Sequence, residues 1–234
     1  MGVHGLRPDG LLMVASVVNS ANQQGSGATL VCNKPTNTAS GDAMIAWHGN
    51  DFGTYSELTA PAGWTLLTGL DRGTNLLHQK IWTRIAGASE GTTYTFNQGS
   101  GEDGVVIITT LRGVDTNTAH WLYAAPVWSA NSTSRVAPTV VGPQPGGVLL
   151  CSTMVDMNNT AATFTPPSGM TEQADAQSNA WTAESVASLL NPPDPTGTKT
   201  FTVSSSNFFS TNGGIECSIY VPPATGPEQF FVMF

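Results

Sequence analysis

The chain has 234 residues, 16 acidic and 8 basic side chains, a formal net charge of −8 and a sequence pI near 4.7. Apolar residues make up 40% and charged residues only 10%, against about 25% charged in an ordinary globular domain, so material for a core is present and charge-driven disorder is excluded. Three lysines and five arginines, scattered along the chain, exclude general nucleic-acid binding, which draws its affinity from cations neutralising phosphates. Solubility must rest on Gly, Thr, Ser, Asn and Gln. Such a surface costs little to desolvate and suits subunits packed against other subunits, although secreted β-proteins share it.

From the N-terminus, the apolar run Leu11 to Val18 falls short of the roughly 18 residues a membrane span needs. Asp9 stands just ahead of it and Arg7 is the nearby basic residue, a pattern unlike a signal peptide. Leu6 stands where N-myristoylation needs Ser or Thr. The expectation is an uncleaved gene product. Cys32, Cys151 and Cys217 are odd in number, lack CxxC spacing and lie inside apolar runs, so buried free thiols are expected.

Strand signals dominate the rest. Thr93 to Phe96 and Thr198 to Val203 alternate polar with β-branched or aromatic residues, and Val105 to Leu111 is the continuous run of a strand covered on both faces. Turn residues punctuate the chain every eight to twelve residues or so, as in a β-sandwich or jelly roll. Met170 to Leu190 is Ala-containing and poor in Gly and Pro, so local propensity alone admits a helix. Its counterpart in the first half, Leu76 to Arg84, is strand-like, and the repeat decides for strands.

That repeat is the strongest signal. Residues 41–46 match 146–151 at an offset of 105, Leu58 to Thr65 match Phe164 to Thr171 at 106, Tyr94 to Phe96 match Phe201 to Val203 at 107, and Gly104 to Ile107 match Gly214 to Cys217 at 110. Upstream, Ser20-Ala21-Asn22 recurs as Ser129-Ala130-Asn131. Pro61, Gly63 and Trp64 in one half and Pro167, Gly169 and Met170 in the other are read as structural turns. There proline presets φ, glycine takes the left-handed position, and a large apolar residue re-enters the sheet.

Gly41-Asp42 before an apolar run, Thr59-Ala-Pro-Ala-Gly-Trp-Thr65, Ala88-Ser-Glu90 with Thr93-Tyr-Thr-Phe96, and Leu111-Arg-Gly-Val-Asp115 together resemble a family of duplicated β-sandwich proteins. That family is familiar from virion genes of actinobacterial and other bacterial tailed phages, and from some secreted bacterial proteins. In the second half, Thr165-Pro-Pro-Ser-Gly-Met-Thr-Glu172 and Pro195 to Thr200 extend the likeness, which covers about residues 28–222.

The fold expected is all-β: two tandem antiparallel β-sandwich (jelly-roll-like) halves related by internal duplication, with extended N- and C-terminal arms. Its parts are an N-terminal arm or first strand over 1–27, a first repeat over 28–115, a second over 116–222 and an apolar tail over 223–234. The resemblance implies a non-enzymatic structural component of a tailed-phage virion, a minor tail protein first and a capsid decoration protein second. It implies other virion proteins and copies of the chain as partners, no cofactor, no nucleic acid and no membrane. The expected location is the virion, assembled in the host cytoplasm.

Catalytic motifs are absent from the sequence. His4, His48, His78 and His120 form no ligand pair, and neither a GxSxG elbow nor a phosphate loop occurs. Glu102-Asp103, in the Gly99 to Gly104 loop, is read as a solvated turn, with calcium binding the sharper alternative. Of six tryptophans, Trp47, Trp64 and Trp82 lie in strand-like runs and are assigned to the core. Trp121, Trp128 and Trp181 are the candidates for exposed contact. The tail ends Phe230-Phe231-Val232-Met233-Phe234 beyond Pro and Gly breaks. It is assigned, with Trp121 and Trp128, to an assembly interface, docking in a neighbour's groove or adding a strand to it; self-docking is the alternative. From another functional class comes a carbohydrate-binding module of a secreted or tail-tip protein, contacting a host-surface glycan. It requires an exposed tryptophan pair on one sheet face.

Overall fold

The computed structural model describes residues 14–73, 76–99, 103–209 and 213–225. The first half holds β1 (Ser16–Gly25), β2 (Thr29–Asn33), β3 (Ala43–Asn50), β4 (Thr65–Asp71), β5 (His78–Ile85), β6 (Thr93–Asn97) and β7 (Gly104–Arg112). The second holds β8 (Leu122–Ser129), β9 (Ser134–Ala137), β10 (Val148–Asp156), β11 (Phe164–Thr165), β12 (Thr171–Ser178), β13 (Thr182–Leu190), β14 (Lys199–Val203) and β15 (Gly214–Val221). The chain is all-β and its strand pairings are antiparallel.

Two five-stranded sheets, β1-β7-β3-β5-β4 and β12-β13-β10-β15-β8, are accompanied by two small ones, β2-β6 and β11-β14-β9. Read from β8, the second large sheet repeats the strand order of the first, and β11 corresponds to a single antiparallel bridge between Thr59 and Asn97 in the first half. The nested pairing of β1 with β7 in one layer and β2 with β6 in the next is the jelly-roll-like feature. It recurs as β8 with β15 and β9 with β14.

The large sheets face each other across a central core, with β1 against β12 and β4 against β8 at the margins. Each small sheet covers the outer face of its large one, giving four layers. Side chains alternate between two cores: in β3, Ala43, Ile45 and Trp47 enter the central core while Met44 and Ala46 enter the outer one. In β10, Val148, Leu150 and Met154 point inward while Leu149 and Cys151 point outward. Burial on both faces is why these strands read as unbroken apolar runs.

All four edge strands of the large sheets meet their neighbours with a register shift: β1 between Val17 and Asn19, β4 between Leu66 and Thr68, β12 between Glu172 and Ala174, and β8 opposite Glu216 and Ser218. Bulges of this kind blunt edges against strand addition.

Several sequence motifs acquire structural causes. Trp64 N–H donates to Pro61 O at 3.3 Å with Gly63 at φ +87°, and Met170 N–H donates to Pro167 O at 2.9 Å with Gly169 at φ +78°. Trp64 and Met170 then enter the outer cores of their halves. Asp42 takes a bidentate pair of hydrogen bonds from Arg112 at 2.9 and 2.8 Å, joining the Gly-Asp and Arg-Gly motifs. Glu90 accepts from Arg84 and, at 2.8 Å, from the Tyr94 hydroxyl.

Met170 to Leu190 forms β12 and β13 around a tight turn with Asn179 at φ +44° and Ala180 at φ +65°. The upstream match fails. Ser20 lies inside β1 opposite Thr109, whereas Ser129 ends β8 opposite Gly214, the counterpart of Gly104, so Ser129 answers to Gly25. Of the segment 1–27, Ser16–Gly25 is a strand paired with β7 along its length rather than an arm.

Candidate functional site

Strand β8 reads Leu-Tyr-Ala-Ala-Pro-Val-Trp-Ser and forms one edge of the second large sheet. Pro126 and the register shift interrupt its ladder. Tyr123 is 45% exposed and Trp128 43%. They sit opposite Ile219 and Ile215, which point into the central core, so both rings emerge on the face of β8 turned toward β4. Four ladder rungs separate them, about 13 Å.

Arg72, just past β4, lays its guanidinium over Trp128 with Cζ 3.8 Å from the ring centroid. A cation of the first half thus stacks on an aromatic ring of the second. Its Nη1 is buried without a hydrogen-bond partner, and burial lowers the guanidinium pKa. The other arginines among the described residues are engaged by carboxylates: Arg84 by Glu90, Arg112 by Asp42 and Arg135 by Glu216. Among the described arginines, Arg72 is thus held by an aromatic ring rather than by a carboxylate. The ladder register and Arg72 complete a face of which the sequence marked only Trp128.

Trp121 is not an exposed contact. The turn Thr118–His120 folds the linker back, with Trp121 N–H donating to Thr118 O. The ring, 4% exposed, enters the central core, and its Nε1 donates to Asp115 O at 2.8 Å. Trp181 is half-buried, edge-on to Phe209 at 5.5 Å. Phe230, Phe231, Val232, Met233 and Phe234 lie outside the described residues, as do His4 and Glu102.

Asp103, which closes the Gly99 to Gly104 loop, ties the halves together. Its Oδ1 accepts from Ser178 Oγ at 2.7 Å and Asn179 Nδ2 at 2.8 Å, and its carbonyl accepts from Thr182 Oγ1 at 2.8 Å. Asp51 and Asp156 lie nearby but are buried, so they line no cleft. Among the described residues no group of three or more His, Cys, Asp or Glu side chains is placed to hold a metal ion. His48 and His78 are buried, and His120 Nδ1 lies 2.6 Å from Asp115 Oδ2. The three cysteines are free and buried, and burial raises each thiol pKa.

Compared with family models, with curated proteins and with solved structures, the chain matches none of them.

Proposed function

We propose that this chain is a non-enzymatic structural subunit of a tailed-phage virion, a minor tail protein first and a capsid decoration protein second. In this reading its body arose by tandem duplication of one sandwich. The observation that carries the reading is the β8 face: an exposed Tyr123–Trp128 pair beside the Arg72 guanidinium, on a four-layered body whose surface is poor in charge. Such a face meets a neighbouring subunit through side-chain packing, since the bulged edges oppose strand addition. The matched motifs support the same role. Copies of the chain and other virion proteins are the partners, with neither nucleic acid nor membrane involved. Sedimentation over rising concentration, wild type against Trp128→Ser and Tyr123→Ser, tests it. Self-association lost in both variants at unchanged melting temperature is expected. A wild type that stays monomeric throughout overturns self-assembly through this face.

Tyr123 and Trp128 on one face also favour a second reading, a carbohydrate-binding module stacking successive sugar rings. Calorimetric titration with soluble polysaccharides separates the two. Sugar binding abolished by Trp128→Ser supports the module, and no heat with any polysaccharide removes it.

A further inference from the structure

Ionisable side chains enter the middle and one end of the largely apolar central core. Gln79, Ser152 and Glu184 lie in its middle, and Asp51 and Asp156 lie at one end, all buried. Gln79 on β5 donates from Nε2 to Glu184 Oε1 on β13 at 2.5 Å, and the same Nε2 lies 3.5 Å from Ser152 Oγ on β10. Glu184 Oε2 and Gln79 Oε1 have no hydrogen-bond partner. A neutral Glu184 carries one O–H donor, and half a turn of the Gln79 amide gives that donor its acceptor. On β15, the titratable group beside Glu184 is the Cys217 thiol. Asp51, just past β3, faces Asp103 ahead of β7, Asp156 at the end of β10 and the Thr182 hydroxyl on β13. Among the described residues the charged groups acting on these two carboxyls are carboxylates, and no cation stands against either.

We propose that the seam between the two large sheets is a proton-operated joint, held closed while the Glu184 and Asp51 carboxyls are neutral and loosened when they release their protons to solvent. Ionisation places a negative charge among apolar side chains at Glu184, and a like charge beside Asp103 and Asp156 at Asp51. Hydrogen bonds from Gln79 to Glu184 and from Thr182 to Asp51 compensate only in part, and no cation does. Burial holds Glu184 up to about 8. Burial first, then Asp156 and Asp103, hold Asp51 up to about 7. Opening returns both carboxyls to water and to ordinary acidity. Opening therefore becomes easier as pH rises from the ordinary carboxylate range to about 7 and 8, and changes little above that.

Hydrogen exchange of the whole chain between pH 5 and 9, corrected for intrinsic amide rates, tests the joint. Residues 178–186 and 103–107 are expected to lose protection by up to about tenfold per pH unit for each ionising group, levelling off above pH about 8. The β2–β6 sheet, remote from the seam, is expected to keep its protection. Protection at the seam that ignores pH overturns the joint. So does a loss shared equally by β2–β6, which would report the whole fold instead. Glu184→Gln with Asp51→Asn is expected to flatten the profile, and a slope retained in that variant also overturns the proposal. Should the variant not fold, the wild-type profile decides alone.

Discussion

Gln79 and Glu184 are hydrogen-bonded to each other and stand 105 residues apart, the same offset that relates β3 to β10. The ladders show them to be equivalents: Gln79 pairs with Gly49 as Glu184 pairs with Met154. Gly49 and Met154 are themselves in contact, since a Cβ on Gly49 would strike the Met154 thioether. Equivalent positions that touch one another lie beside a two-fold axis. The reversed strand order of the facing sheets describes the same axis, running between β3 and β10. The two halves pack as the subunits of a symmetric dimer do.

Where the halves differ, the difference is chemical. Arg135 and Glu216 form a fully buried ion pair 2.5 Å apart beneath the second small sheet, with Ser129 and Thr153 hydroxyls also donating to the carboxylate. The corresponding first-half positions, by ladder register, are Cys32 and Val106. The pair splits the second outer core into two apolar clusters where the first half has one. Breaking a buried pair strands a charge and costs about 3–5 kcal/mol, whereas replacing both partners with apolar groups is often neutral. Arg135→Met alone is expected to lower unfolding free energy in urea by that amount. Arg135→Met with Glu216→Val is expected to recover most of it; a double variant as unstable as the single would mean that the pair supplies net stability.

Much of this fold is legible in the sequence because turn chemistry is local. The Pro61 to Trp64 and Pro167 to Met170 turns follow from their residues alone, and the repeat resolves β12 and β13 against an Ala-containing background. The layering is not legible. Met44 and Ile45 are equally apolar, and nothing local says that one belongs to the outer core and the other to the central one. Thr182 to Ser188 holds four polar residues among seven, as a partly wet strand would, yet it is buried through Ser188 because layers cover both sides. Trp121 was hidden for a related reason: a linker tryptophan reads as exposed until the turn before it is known to fold inward. The Arg72–Trp128 contact joins residues of different halves, which no local pattern records.

The β12–β13 turn carries a strain that a single substitution removes. Ala180 sits at φ +65°, where a Cβ costs about 1 kcal/mol and glycine costs nothing sterically. Its backbone carbonyl accepts from Thr160 N–H at 2.9 Å, a bond that glycine keeps. Ala180→Gly is therefore expected to raise stability by about 0.5–1 kcal/mol, less the extra chain entropy of glycine when unfolded. A fall in melting temperature would mean that the Ala180 methyl contacts and the unfolded-chain entropy of glycine together outweigh the strain.

His48 acts on stability from the opposite side of pH to the seam carboxyls. Its ring is fully buried in the outer core of the first half, edge-on to Phe96 at 5.2 Å, and neither nitrogen has a hydrogen-bond partner. Burial, and after it the nearby Lys80 charge, lower its pKa to about 3. A base depressed in this way stabilises fully above its unfolded pKa of 6.5, and that contribution is lost as pH falls toward about 3. Over the same fall Glu184 regains stability between about 8 and its ordinary value of 4.5, so the two trends oppose each other in mild acid. His48→Leu removes an unsatisfied N–H and the proton that must be excluded. It is expected to add about 1–2 kcal/mol at pH 7 and more at pH 4, measured by chemical denaturation at both. Equal gains at the two pH values would show that His48 does not titrate on unfolding, and a loss at both that its ring packing outweighs its unmet polarity.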